Sequence, residues 1–254
     1  MESTLNPARP FLVSLTSYPP RFETLKVTLD SLASQRVQPV RTMLNIAAGD
    51  YVEFLDVTGL DHGAASDLGL TINVCADLGP AKKLLPTLVM HPDLPIITVD
   101  DDIAYGQGLT MALMVQHLMF PKAIIGNRTR RIAVNSTGAI EPYSKWALDD
   151  EGACGPAANI FPTGAGGTLY PPGCMHSDAL REDVYCALAF HTDDIWWYFQ
   201  ARRQGTLFRR TPIIEPYSQT GGTKESGLWL TGNRERNNEN FALLQSLYGS
   251  PLEC

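Results

Sequence analysis

Three consecutive carboxylates, Asp100-Asp101-Asp102, follow the apolar run PIITV. Adjacent negative charges repel one another, and the end of a strand has no helix N-terminus to offset them. A divalent cation is the natural compensator; a solvated acidic turn is the alternative. Side chains alternate along an extended backbone, so Asp100 and Asp102 are expected to face the same way and share the ion while Asp101 turns elsewhere. Hard carboxylate oxygens suit Mg2+ or Mn2+ better than zinc.

Two further segments are expected at the same place. Thr16-Ser17-Tyr18-Pro19-Pro20-Arg21 follows the opening apolar run, and Asp77-Leu78-Gly79-Pro80-Ala81-Lys82-Lys83 leads from TINVC into a helix. Lysines in the first turn of a helix oppose its dipole, which is tolerable when an anion sits there. Arg21, Lys82 and Lys83 are therefore candidates to surround a phosphorylated ligand, or else ordinary surface cations. Later, Asp193-Asp194 opens the apolar segment IWWYF, where an acid also serves as a cap. Gly164, Gly166 and Gly167 allow a backbone to approach a ligand closely, or satisfy turn geometry alone. The cations Arg202, Arg203, Arg209 and Arg210 are open to either a phosphate or a purely structural role.

The elements that must position these residues alternate. FLVSLT (11–16) is strand-like, FETLKVTLDSLASQ (22–35) has helical spacing, and VRTMLNIA (40–47), TINVC (71–75) and PIITVD (95–100) are strand-like. A helix is expected from Gly79-Pro80 to Met90, with proline in the first turn. This order implies a mostly parallel sheet covered by helices, whose ligand crevice lies outside the carboxyl ends of the strands. After a helix at 108–119 come AIIG, RRIAV, helices at 177–187 and 193–204, strand-like LFRR and PIIE, and a last helix at 236–248. The polar, Gly-rich 219–237 stretch is expected to be a mobile loop. The expectation is one domain over 1–254, with a nucleotide-binding half at 10–105 and an α+β half at 106–254.

Composition excludes other classes. Lys and Arg number 20 against 27 Asp and Glu, a net charge of −7 that disfavours nucleic acid as a partner. Hydrophobic residues at 44% can fill a sizeable core. No apolar stretch spans a bilayer, MESTLNPARP lacks the features of a secretion signal, and cysteines 75, 154, 174, 186 and 254 form no CxxC pair. A cytoplasmic chain with reduced thiols is expected. The sequons at Asn127 and Asn135 are read as chance.

VSLTSYPPRF, GPAKKLLPTL, ITVDDDI, GAGGTLYPPG and TDDIWWYF occur in this order over roughly residues 11–205. Together they resemble bacterial nucleotide-sugar glycosyltransferases of the GT-A fold, family 2-like and DxD-containing. The resemblance implies an α/β, Rossmann-like nucleotide-binding sheet fused to a smaller acceptor-binding part. It places Thr16, Tyr18 and Arg21 near the nucleotide, Lys83 near base or phosphate, Asp100 and Asp101 on the donor side, and Asp102 with Asp100 at Mn2+ or Mg2+. Asp194 corresponds to the acid that deprotonates the acceptor hydroxyl in inverting members, with Asp193 as an acceptor-hydroxyl ligand. Gly166, Gly167 and Trp196 would meet the sugar or acceptor.

The implied reaction moves a sugar, from UDP-sugar by preference, to a hydroxyl of a glycan or glycolipid, with peripheral contact to a membrane-linked acceptor. Many relatives supply a late histidine to the metal, whereas histidines 62, 91, 117, 176 and 191 all precede the final 63 residues. His191, Asn237 or water are the candidates for a third ligand. The rivals are a DxD phosphohydrolase or phosphotransferase, which usually carries its motif on the first strand, and a nucleotide- or glycan-binding module without turnover.

Overall fold

Five residues, Leu12–Thr16 (β1), form an interior strand of the main sheet, and Leu12, Val13, Ser14 and Leu15 are all buried, as expected of a strand covered on both faces. The computed structural model describes residues 9–149, 154–220 and 233–253. After β1 come α1 (Leu25–Ala33), β2 (Arg41–Ala47), α2 (Tyr51–Thr58), α3 (His62–Asp67) and β3 (Leu70–Cys75). Then follow α4 (Leu85–Met90), β4 (Ile96–Thr98), β5 (Ile103–Tyr105), α5 (Leu109–Met119), β6 (Ile124–Gly126) and β7 (Thr129–Arg131). The remainder comprises β8 (Ala147–Leu148), β9 (Ile160–Pro162), β10 (Thr168–Tyr170), α6 (Glu182–Leu188), α7 (Asp193–Arg203), β11 (Phe208–Arg210), β12 (Tyr217–Gln219) and α8 (Asn233–Tyr248).

Seven strands pair in the order β11-β6-β10-β4-β1-β2-β3. Only β10 runs antiparallel to its neighbours, β4 and β6; the other pairs are parallel. This is the mostly parallel α/β sheet anticipated from the alternating pattern, and it is Rossmann-like, as the resemblance implies. The stretch 106–254 is woven into the same sheet, contributing β6, β10 and β11; it also pairs β12 with β5 and forms the small sheet β8-β7-β9. Chain order reverses at β1, which has β2 on one side and β4 on the other, so a crevice opens between the ends of β1 and β4.

Alternation along the strands divides the core. Val13, Leu15, Ile97 and Val99 pack with Phe22, Leu29 and Leu113 on one face. On the other, Leu12, Ile96 and Ile124 pack with Phe161 and the α7 residues Trp196, Trp197 and Phe199. Hydrogen-bonded polar side chains interrupt this second face: Ser14 and Thr87 hydroxyls lie 2.7 Å apart, and the Asn45 amide donates to both.

Several boundaries differ from expectation for local reasons. The 79–90 helix is a tight 3-10 turn at Gly79–Lys83 followed by α4, because Pro86 lacks the N–H a continuous helix needs. Extended Arg181 likewise splits the 177–187 helix into a 3-10 turn and α6. PIIE is not a strand; the strand is Tyr217–Gln219, beyond Pro216. RRIAV yields a strand only over its first two residues. Of the 219–237 stretch, residues 221–232 lie outside the described residues, while Asn233 already begins α8. Among the described residues no helix is long and apolar enough to cross a membrane.

Trp196 is fully buried, its indole N–H donating to the Ala179 carbonyl and its ring 6.0 Å from that of Tyr185. Replacing Trp196 with Ala is expected to lower unfolding free energy by about 3–5 kcal/mol in urea denaturation; a loss well below 1 kcal/mol would contradict this placement.

Candidate functional site

Asp100, Asp101 and Asp102 leave the sheet at the crevice, and their backbone is held from three directions. The Asp100 N–H donates to the Tyr105 hydroxyl at 2.9 Å, the Thr28 hydroxyl to the Asp101 carbonyl at 2.8 Å, and the Thr220 N–H to the Asp102 carbonyl at 2.8 Å. Arg21, carried by the Pro19–Arg21 turn just past β1, reaches two of the three carboxylates. Its Nη1 lies 2.6 Å from Asp101 Oδ1 and its Nη2 3.1 Å from Asp102 Oδ2, both pairs nearly buried. Burial opposes the Arg21 charge, but Asp101 and Asp102 outweigh it and hold its pKa above the ordinary value.

Asp100 takes a different partner. Lys83 Nζ lies 2.9 Å from Asp100 Oδ1 and 3.1 Å from Asp193 Oδ2, linking the turn to the first residue of α7. Asp194, partly exposed, accepts the Gly164 N–H at 3.0 Å through Oδ2. Gly164 is delivered there because β10 runs antiparallel to β4, with Thr168 opposite Thr98, so the segment entering β10 meets the segment leaving β4. The start of α7 is fastened from α8, where the Asn240 amide donates to the Thr192 hydroxyl at 2.7 Å.

These surroundings perturb the acids. Burial, reinforced by Asp100, pushes Asp102 up to about 6 against the pull of Arg21. Burial and the neighbouring Asp193 push Asp194 up to about 7, with Lys83 and the Gly164 N–H opposing. Five carboxylates meet only Arg21 and Lys83 as ion-pair partners among the described residues, an excess of three negative charges when all are ionised.

The expectation that Asp101 is the acid turned away from the other two requires correction, since in its ion pairs it is Asp100 that stands apart. Asp102 joins Asp101 on Arg21, because β4 ends at Thr98 and Asp101-Asp102 lie in a turn where alternation no longer holds. Thr16 and Tyr18 stand partly exposed at the crevice edge, the Thr16 hydroxyl donating to the Asn45 carbonyl and the Tyr18 ring 5.3 Å from the Arg21 guanidinium. Trp196 offers no surface to an acceptor, since the face of α7 that carries it is core.

A Cβ on Gly166 would collide with Arg128, and one on Gly167 would press on Leu109, so close packing accounts for both glycines. Gly164 is the member of the run that lies among the acids: a Cβ there would be 2.6 Å from Lys83 Nζ and 3.3 Å from Asp194 Oδ1. Lys82 pairs with Asp77. Arg202 bonds the carbonyls of Pro251 and Thr206, and Arg209 bonds Gln116 and lies over the Phe120 ring. Thr28, Tyr105, Thr220 and Asn240 belong to the site's support and carry no sequence motif.

No family model matches the chain, and no curated protein does. Among solved structures, it is similar to residues 1–349 of TarS from S. aureus at 13% identity and a TM-score of 0.49, covering 94% of this chain and 72% of that one. A longer S. aureus TarS structure aligns at 14% identity and a TM-score of 0.49 over 85% of this chain, which spans only 38% of it. The 4-diphosphocytidyl-2C-methyl-D-erythritol synthase from Anaerococcus prevotii aligns at 13% identity and a TM-score of 0.50, covering 93% and 96%. These likenesses concern the fold.

Raised carboxylate pKa values make stability depend on pH with a definite sign. Between about pH 4 and 7 the folded chain keeps protons on Asp102 and Asp194 that the unfolded chain has released, so raising pH favours unfolding. Urea denaturation of Asp194→Asn from pH 4 to 8 should show a shallower decline than the parent chain. Superimposable profiles would contradict the assignment.

Proposed function

We propose that this chain transfers a sugar from a nucleotide diphosphate donor, UDP-sugar by preference, to a hydroxyl of a glycan or glycolipid acceptor with inversion at the anomeric carbon. The observation that carries the reading is the meeting of Asp100-Asp101-Asp102 with Asp194 at the reversal point of the sheet. The fold is shared with the Anaerococcus prevotii synthase, an enzyme named for a diphosphocytidyl compound. The four described cysteines are free, in keeping with a cytoplasmic setting, and contact with a membrane-linked acceptor would be peripheral.

The donor set fits Mg2+ or Mn2+ in one respect: the crevice has hard oxygens and excess negative charge. Among the described residues no group of three or more His, Cys, Asp and Glu could hold a metal ion alone. Asp102 and Asp100 would therefore share the ion with diphosphate oxygens and water, as Mg2+-type ions commonly require. When bound, the ion stabilises negative charge on the departing diphosphate. Thr16 and Tyr18 line the donor side of the crevice, and Asp101, locked to Arg21, holds the turn in place.

Asp194 performs the proton transfer. As the acceptor oxygen bonds to the anomeric carbon and the carbon–diphosphate bond breaks, its carboxylate takes the hydroxyl proton. A pKa pushed up to about 7 suits that role near neutral pH. The transition state carries oxocarbenium character.

Calorimetric titration of UDP with and without Mn2+ tests the donor site, and turnover tests the base. Metal-dependent binding lost in Asp102→Ala, with Asp194→Asn keeping nucleotide affinity while losing about 10²–10⁴-fold in turnover, is expected. Metal-independent binding, or full turnover in Asp194→Asn, would contradict the assignment.

A further inference from the structure

Lys83 has the type and place of a phosphate ligand, but its surroundings already occupy it. Its side chain is 8% exposed and its ammonium lies between Asp100 and Asp193. Gly164 covers it so closely that even a methyl group there would press on Nζ. The segment behind it is equally constrained. Thr87, one turn further along the chain, joins Ser14 and Asn45 in the polar cluster of the otherwise apolar face, so α4 is fixed against β1 and β2.

The two carboxylates that Lys83 joins come from distant parts of the chain. Asp100 lies two residues past the end of β4, where the acidic turn begins, and Asp193 is the first residue of α7. Asp194 is next on that helix, so holding Asp193 fixes where the Asp194 carboxylate stands relative to the turn. Gly164 completes the arrangement, because its N–H holds Asp194 Oδ2 while its missing side chain leaves room for the Lys83 ammonium.

We propose that Lys83 is a positioning residue: it holds the start of α7 against the acidic turn, sets the distance between donor and base, and does not itself bind the nucleotide. The proposal rests on Asp194 acting as the base. Neutralising Lys83 leaves Asp100 and Asp193 uncompensated: α7 should shift, whereas a freed Asp100 carboxylate adds negative charge at the metal side and so does not weaken nucleotide binding with the ion. Displacement of a reacting group by about 1 Å can cost about 10²-fold in rate.

The test compares UDP affinity, measured calorimetrically with Mn2+, with kcat for sugar transfer at saturating acceptor. Lys83→Met is expected to lose about 100-fold in kcat while UDP affinity with Mn2+ does not fall. Adding Asp193→Asn to Lys83→Met should recover about tenfold of the lost kcat, because no unpaired Asp193 charge remains. Should Lys83→Met not fold, Gly164→Ala, which presses on the ammonium without removing it, should show the same split between kcat and affinity. UDP affinity falling in step with kcat, or a double variant no faster than Lys83→Met, would overturn the role of Lys83 alone. Absence of transfer by the wild-type chain would instead overturn the reading of Asp194 and this proposal with it.

Discussion

Crowding five carboxylates at one edge of a sheet is the constraint around which this molecule is arranged. Carboxylates withdrawn from water must be paired, hydrogen-bonded or protonated. Arg21 and Lys83 supply the pairing and Gly164 a hydrogen bond, while Asp102 and Asp194 have their pKa values raised. Two cations do not balance five acids, so the edge retains a preference for incoming positive charge. A diphosphate arriving with a divalent ion answers that preference without adding a large net negative charge.

The sheet order explains how such crowding arises from separated pieces of chain. Reversal at β1 sends the acidic turn and the Pro19–Arg21 turn into one crevice, where Arg21 spans from one to the other. The one antiparallel strand of the main sheet, β10, then feeds Gly164 toward that crevice, and α7 closes it with Asp193 and Asp194. The aromatic side chains of α7 have a mechanical part: Trp196, Trp197 and Phe199 bury the helix against the sheet so that its first turn can be held still. Core packing and site geometry are thus two ends of the same helix.

Much of this was legible in the residues. PIITV and FLVSLT are strands because apolar runs bounded by polar turns suit a doubly covered sheet, TINVC is an edge strand in which buried and open residues alternate, and the DDD triplet marked the crevice. Helix α3 escaped notice because it buries Ala65 alone, whereas α2 was open to recognition from Tyr51, Phe54 and Leu55, which stand at helical spacing and pack on the core. Their caps were visible all the same, in left-handed Gly59 and in Asp61, whose side chain accepts the Ala64 N–H. The division of the three acids between Arg21 and Lys83 was beyond reach, since it depends on where β4 ends. Gly164 could not be told from Gly166 and Gly167 for a related reason: what sets them apart is which partner lies across the space and, at Gly167, a left-handed backbone.

The central claim is that the acidic turn is where a nucleotide diphosphate and its metal are held. Diffraction recorded at the manganese absorption edge, from crystals grown with UDP and Mn2+, tests it most directly. The expected result is an anomalous peak in contact with Asp102, near Asp100, with the diphosphate against the same ion and Lys83 still between Asp100 and Asp193. A nucleotide bound elsewhere, with Asp102 still on Arg21 and no metal at the turn, would contradict it.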